Sequence, residues 1–157
     1  MKTISSLFNF FMILIFLIVF SCSSKKIEEI EYVEREVDEI YNSAIDLMNN
    51  ERFISAAEEF NEVERQHPYS IWATRAQIMS AYVKYKVQDY DMAIGAAQRY
   101  IDLHPGADDV DYAYYLIALC YYERINDVKR DQSYTLQALN SFKNLNNRFP
   151  NSRYIRD

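Results

Sequence analysis

The sequence predicts an all-α fold, a solenoid of three helix pairs that follows a signal peptide. Three observations indicate this: few turn residues, small and aromatic residues that recur at a fixed interval, and a short apolar run near the N-terminus. The 157 residues include two glycines and three prolines, whereas a β-sandwich or barrel needs a turn about every 8 to 12 residues. Half of the residues are hydrophobic, which suffices for a sizeable helical core.

The N-terminal segment has the pattern of a secretion signal. Lys2 supplies a positive charge, and an unbroken apolar run of eleven residues extends from Phe10 to Phe20. A membrane-spanning helix needs roughly 20 apolar residues, so a charge followed by this shorter run indicates a signal peptide over residues 1–21. The polar and charged residues 22–31 are interpreted as a tether.

The apolar run ends in Val19-Phe20-Ser21-Cys22, which resembles the bacterial lipobox that directs lipid transfer to a cysteine thiol. Phe20 departs from that motif, where a small residue is usual, and the alternative is a plain signal peptide cut near Ser21. A lipidated Cys22 would carry several acyl chains, enough for stable membrane attachment. Ser23 stands where an aspartate would favour retention in the inner membrane, so we expect an anchor at the periplasmic face of the outer membrane.

The rest of the chain contains an internal repeat. Ala44, Ala81 and Ala118 lie 37 residues apart. The offsets within a unit are those of the tetratricopeptide repeat, in which small residues let two antiparallel helices approach and a proline ends the second helix. We therefore expect repeats over residues 32–69 and 70–107, with residues 108–157 forming a third repeat and the start of a truncated fourth. Three further columns keep the same register, with steps of 37 and 45 residues: Ala56, Ala93 and Ala138; Phe60, Ala97 and Phe142; Pro68, Pro105 and Pro150.

The repeat predicts six helices, at residues 32–49, 53–66, 70–87, 90–103, 109–124 and 132–148. The expected N-cap residues have side-chain oxygens that can accept bonds from orphan backbone N–H groups: Ser70, Asp89 or Asp91, Asp108 and Asp131. The charged segment from Arg124 to Arg130 should project as an insertion. A solenoid also needs a terminal cap with a polar outer face, so we expect the last helix to expose an apolar edge.

In repeats of this kind the first helix of each pair lines the concave surface. Phenol rings with hydroxyl tips suit a groove that holds an extended peptide with few demands on its sequence. The alternative is that these rings pack between neighbouring repeats. Six tyrosines fall on the predicted inward positions: Tyr41, Tyr82, Tyr85, Tyr112, Tyr115 and Tyr122.

Charge and motifs argue against several functions. The formal net charge of −6 disfavours a nucleic-acid partner, which calls for a clustered basic face. The sequence has no glycine-rich phosphate loop, serine elbow or His/Cys cluster at metal-ligand spacing, so we expect no enzyme, cofactor or metal site. Cys120 is expected to be a small buried hydrophobe, and Trp72 a packing residue.

Several segments resemble the BamD family, also called ComL or YfiO, of outer membrane protein assembly lipoproteins. The specific ones are Asp109-Val-Asp-Tyr-Ala-Tyr-Tyr115 and Asp131-Gln-Ser-Tyr-Thr135; residues 53–60, 67–70, 90–94 and 149–154 also match. The resemblance implies a five-repeat scaffold whose N-terminal repeats receive unfolded outer-membrane β-barrel proteins. Its C-terminal repeats hold BamA and the accessory Bam lipoproteins, and we expect this sequence to be a fragment that lacks those docking repeats.

The expected function is therefore a scaffold and receptor for unfolded barrel proteins, attached to the membrane through its lipid anchor. A generic tetratricopeptide adaptor lipoprotein for periplasmic cell-wall or division proteins is the alternative. The segment from Asp109 to Tyr115 favours the first interpretation.

Overall fold

The computed structural model describes residues 33–125 and 132–156. The described residues form six α-helices and one 3₁₀ helix and contain no strand, which confirms the predicted all-α solenoid. The predicted signal peptide, tether, Cys22 and Asp131 lie outside these residues. The helices are α1 Val37–Asn49, α2 Phe53–Gln66, α3 Ile71–Lys86, α4 Tyr90–Leu103, α5 Val110–Glu123 and α6 Gln132–Arg148, and the 3₁₀ helix is Arg153–Arg156.

The helix bounds follow the prediction closely except at α1, where the predicted start at residue 32 is wrong. Glu36 is extended, with φ −62° and ψ 141°, and α1 begins at Val37. The preceding residue is held by the end of α2: the Arg35 backbone N–H donates to Gln66 Oε1 at 2.8 Å. His67 Nε2 donates to the Arg35 carbonyl at 2.6 Å. These tertiary bonds use the backbone groups of Arg35 outside a helix.

Two of the expected N-caps are present and one is wrong. Ser70 Oγ accepts from the Ala73 backbone N–H at 3.0 Å, and Asp89 Oδ1 accepts from that of Met92 at 3.4 Å. The residue at the N-cap of α5 is Asp109 rather than Asp108, and its side chain makes no capping bond.

The small-residue columns pack as the repeat requires. Each helix packs on the next one along the chain, and α3 also contacts the first helices of the neighbouring units, α1 and α5. In the described ranges, the backbones of the second helices α2, α4 and α6 do not approach one another in this way. The stack is therefore tighter on the side of α1, α3 and α5, which we call the inner face. The alanines of the columns are at most 3% exposed: Ala44, Ala56, Ala81, Ala93, Ala97, Ala118 and Ala138.

Three aromatic rings pack together at the junction of the first and second units. The Tyr41 ring centroid lies 5.7 Å from that of Phe60 and 4.7 Å from that of Trp72. Phe60 is 1% exposed. Trp72 belongs to the second unit, four residues after Pro68, so the expected packing role of Trp72 is to join two units.

The third unit repeats this arrangement. Tyr115 lies 6.3 Å from Phe142 and 4.8 Å from Tyr154, measured between ring centroids. Tyr154 follows Pro150 by four residues, as Trp72 follows its own proline. Phe142 is half-buried, whereas Phe60 is 1% exposed.

In the second unit, non-aromatic residues stand at the positions of the three aromatic rings. Ile78, Ala97 and Asp109 occupy the equivalent positions, each 37 residues after its counterpart in the first unit. Tyr100, which is 1% exposed, packs in the same core cluster as Ile78 and Ala97. Its hydroxyl donates to Asp109 Oδ1. A buried tyrosine with a carboxylate partner therefore replaces the ring packing at this junction.

The last helix exposes apolar side chains, as predicted. Leu136 is 57% and Leu139 48% exposed. A cleft of about 380 Å³ beside α6 is lined largely by apolar residues, including Leu139, Tyr154 and Ile155. None of the helices within residues 33–125 and 132–156 is long and apolar enough to span a bilayer.

Candidate functional site

All six predicted tyrosines belong to the helices of the inner-face side, α1, α3 and α5, and their exposure differs. Tyr122, in the last turn of α5, is 57% exposed. The other five are half-buried, with part of each ring packed and part accessible: Tyr41, Tyr82, Tyr85, Tyr112 and Tyr115.

Tyr112 is the centre of a group of phenols contributed by α3, α5 and the 3₁₀ helix. Its ring lies 6.5 Å from that of Tyr115 and 5.3 Å from that of Tyr154. Burial raises the pKa of Tyr112, and the neighbouring phenols raise it further. We call this group the phenol cluster, and its members are Tyr82, Tyr85, Tyr112, Tyr115 and Tyr154.

Tyr85 connects the second unit to the third. Its hydroxyl donates to Glu123 Oε1 at 3.4 Å, and its ring lies 6.0 Å from that of Tyr90. Burial, followed by the charge of Glu123, raises the pKa of Tyr85 to about 12. The hydroxyl therefore stays protonated near neutral pH and can both donate and accept a hydrogen bond.

Tyr41 lies apart from the phenol cluster, at the junction of the first two units. Burial raises the pKa of its hydroxyl, and the Arg75 guanidinium partly opposes this. Arg75 also lies over the Trp72 ring, 5.4 Å from its centroid. The packing of Tyr41 on Phe60 and Trp72 is the arrangement expected for a ring that joins neighbouring repeats.

Tyr154 belongs to the cluster although sequence reasoning did not place it there. The repeat register could have predicted this, because Tyr154 follows Pro150 by four residues, as Trp72 follows Pro68. Its contacts with Tyr112 and Tyr115 show that the inner face of one unit is completed by the first residues of the next.

The chemistry that these residues can offer follows from their protonation and packing. Burial raises the pKa of the Cys120 thiol to about 12, so this cysteine is a buried hydrophobe, as expected, and a poor nucleophile. No group of three His, Cys, Asp or Glu in the described part of the chain is placed to hold a metal. The accessible ring edges and protonated hydroxyls offer apolar contact together with hydrogen bonds.

Comparison with known proteins gives one family and several relatives. A family model described as "YfiO: Outer membrane lipoprotein" matches residues 33–157. The outer membrane protein assembly factor BamD of Caulobacter vibrioides is 42% identical over 140 residues, which are 88% of this chain and 46% of the relative. The protein of that name from Rickettsia prowazekii is 36% identical over 146 residues, 93% of this chain and 57% of the relative. The chain thus spans about half the length of the relatives it matches.

Proposed function

Because the chain belongs to the YfiO family of outer membrane lipoproteins, we propose that it is a scaffold that receives unfolded outer-membrane β-barrel proteins for assembly. The resemblance seen in the sequence is confirmed by this membership. The similar proteins are named as assembly factors. This name refers to assembly and not to a chemical reaction, which agrees with a non-enzymatic role.

The phenol cluster on the inner face is the observation that carries this proposal. An unfolded barrel segment is an extended chain in which apolar and polar side chains alternate. Half-exposed phenols can contact its apolar side chains through their rings and its peptide groups through their hydroxyls. Such contacts make few demands on sequence, which a receptor for many different barrel proteins requires.

The membrane anchor and the domain layout belong to the same proposal. Residues 1–21 would be the lipoprotein signal peptide, Cys22 the lipidated residue and 22–31 the tether. The three repeats would then begin at about residue 32 and lie close to the periplasmic face of the outer membrane. BamA and the accessory Bam lipoproteins are the proposed assembly partners.

Photocrosslinking tests the receptor role. A benzoylphenylalanine is placed at Tyr115 or Tyr122 on the inner face, and at Ile54, which is 69% exposed on α2, as the matched control. An unfolded barrel protein should crosslink from the first two positions, and a peptide that copies its C-terminal strand should compete.

Crosslinks no stronger at Tyr115 and Tyr122 than at Ile54 would contradict the receptor role. Capture from periplasmic extract dominated by murein enzymes would instead favour the adaptor for cell-wall or division proteins.

A further inference from the structure

A second cleft opens on the side of the second helices. In the described structure the backbones of α2 and α4 do not approach each other closely, and the Arg99–Glu64 ion pair joins the two helices. A space of about 370 Å³ lies between them with α3 as its floor. We call this space the outer cleft. Its floor carries Gln77, Ser80 and Lys84, and its walls include Asn61 and Glu64 of α2 with Gly95, Ala96 and Arg99 of α4.

The floor of the outer cleft is a hydrogen-bonded polar chain. Ser80 is 4% exposed, and its hydroxyl donates to Asn61 Oδ1 at 2.9 Å. The Lys84 ammonium donates to the Ser80 oxygen. Burial lowers the pKa of Lys84, and the charges of Asp89 and Glu64 oppose this. The cation is therefore partly withdrawn from water at the bottom of an open cleft.

The carboxylates near Lys84 bind other groups of the protein. Glu64 receives both terminal nitrogens of Arg99, one of them at 2.9 Å. Asp91 pairs with Arg124 at 2.6 Å. Asp89 caps the N-terminus of α4. In the described part of the chain no carboxylate is in ion-pair contact with Lys84, so the ammonium can donate its remaining N–H groups to an external carboxylate.

The other units have apolar residues at the positions of Gln77 and Lys84. The residues 37 positions before Gln77 and Lys84 are Ile40 and Leu47, and those 37 positions after are Tyr114 and Tyr121. All four pack in the hydrophobic core clusters. The amide and the ammonium at these positions are therefore particular to the second unit.

We propose that the outer cleft binds a carboxylate side chain on an exposed acidic segment of a partner protein, with Lys84 as the anchoring cation. The wall opposite α2 leaves room for it, because a Cβ added at Gly95 would meet nothing within 4 Å. Charge-assisted hydrogen bonds to carboxylates are about twice as strong as neutral ones, and a partly desolvated ammonium makes them in a surrounding less polar than water.

Fluorescence anisotropy tests this site with the full chain in a neutral detergent. The probe is a labelled peptide of alternating Glu and Ser, and its Gln and Ser twin is the uncharged control. At low ionic strength the Glu peptide should bind at least about tenfold more tightly than its twin. Lys84→Leu should remove this difference, since loss of one partner of a desolvated charge pair is costly. Lys143→Leu, at an exposed position of α6, should change binding by less than about twofold.

A steric variant leaves the charge in place. Gly95→Leu should fill the outer cleft and weaken binding of the Glu peptide to the level of Lys84→Leu. Gly106→Leu is the matched control, because a Cβ there also meets nothing within 4 Å and Gly106 is not among the lining residues. Thermal melting should show all four variants folded. Leu47 and Tyr121 stand at the positions equivalent to Lys84, a Cβ at Gly95 or Gly106 meets nothing within 4 Å, and Lys143 is exposed.

Equal effects of Lys84→Leu and Lys143→Leu, or unchanged binding by Gly95→Leu, would overturn the proposal. Lys84-dependent binding to phosphatidylglycerol vesicles without binding of the Glu peptide would also overturn it, in favour of a lipid headgroup. Crosslinking of unfolded barrel proteins on the inner face should be unaffected by Gly95→Leu, which separates this site from the proposed receptor role.

Discussion

Tyr154 lies face to face with Tyr115, with ring centroids 4.8 Å apart and planes inclined by 17°. Two units earlier, Trp72 packs on Tyr41 at the equivalent positions, with ring centroids 4.7 Å apart and the planes inclined by 48°. In both places the aromatic residue four positions after a repeat proline closes the inner face of the preceding unit. The inner face is therefore built jointly by successive units.

The stacked pair should be energetically coupled. In a double-mutant cycle with Tyr115→Leu and Tyr154→Leu, we expect a coupling of about 1 kcal/mol in the free energy of unfolding, typical of aromatic pairs. Urea denaturation followed by circular dichroism measures it. The cycle of Tyr115→Leu with Tyr122→Leu is the control and should give less than about 0.5 kcal/mol, because Tyr122 is largely exposed. Equal coupling in the two cycles would contradict the stacking.

Phe60 should be the costliest ring to remove from the first unit. Its side chain is 1% exposed and packs on Tyr41 and within the core, so Phe60→Ala should reduce the free energy of unfolding by about 3–5 kcal/mol. Ile54→Ala, on the same helix but 69% exposed, should change it by less than about 0.5 kcal/mol. The two urea midpoints give this comparison, and a loss under about 1 kcal/mol for Phe60→Ala would count against a three-ring core.

Tyr100, which is buried and donates its hydroxyl to the exposed Asp109, should make the protein sensitive to alkali. Burial, with a further contribution from Asp109, raises the pKa of Tyr100 above its ordinary value of 10.0. A raised folded-state pKa gives stability that is complete below pH 10 and is lost as the pH rises above it. Tyr100→Phe should therefore lower stability at pH 7 by about 1–3 kcal/mol and flatten its decline above pH 10. Equally steep declines in the two proteins would contradict this.

Thiol labelling should distinguish the two cysteines. Cys120 is 0% exposed and its pKa is raised to about 12 by burial, so iodoacetamide at pH 8 should not modify it in the folded protein. In urea the protein purified from membranes should show one reactive thiol, that of Cys120, because the thiol of a lipidated Cys22 is blocked. Two reactive thiols in urea would show that Cys22 is unmodified.

The helix bounds and the small-residue columns were predictable because they depend on local periodicity. Ala56 and Ala93 hold the register, and α2 and α4 begin and end where the pattern places them. The start of α1 was not predictable, since it depends on bonds between Arg35 and residues near the end of α2. These bonds join residues about 31 positions apart in sequence, which no local pattern reveals.

The candidate site was predicted in part for the same reason. The inward stripe placed Tyr82, Tyr85, Tyr112 and Tyr115 near one another, because helical spacing fixes which residues share a face. Spacing did not reveal that Tyr154 completes the cluster or that Asp109 receives the Tyr100 hydroxyl. Both contacts follow from how two units stack, which sets where side chains of different helices meet.

The affinity of the chain for an unfolded barrel protein tests the central claim most directly. Tyr85→Ala combined with Tyr122→Ala removes two rings from the inner face, and Tyr69→Ala, fully exposed in the loop between α2 and α3, is the matched control. We expect the double variant to weaken binding at least about tenfold, or about 1.4 kcal/mol, and the control to change it by less than about twofold. Unchanged affinity of the double variant, or an equal loss in the control, would contradict a binding role for the inner face.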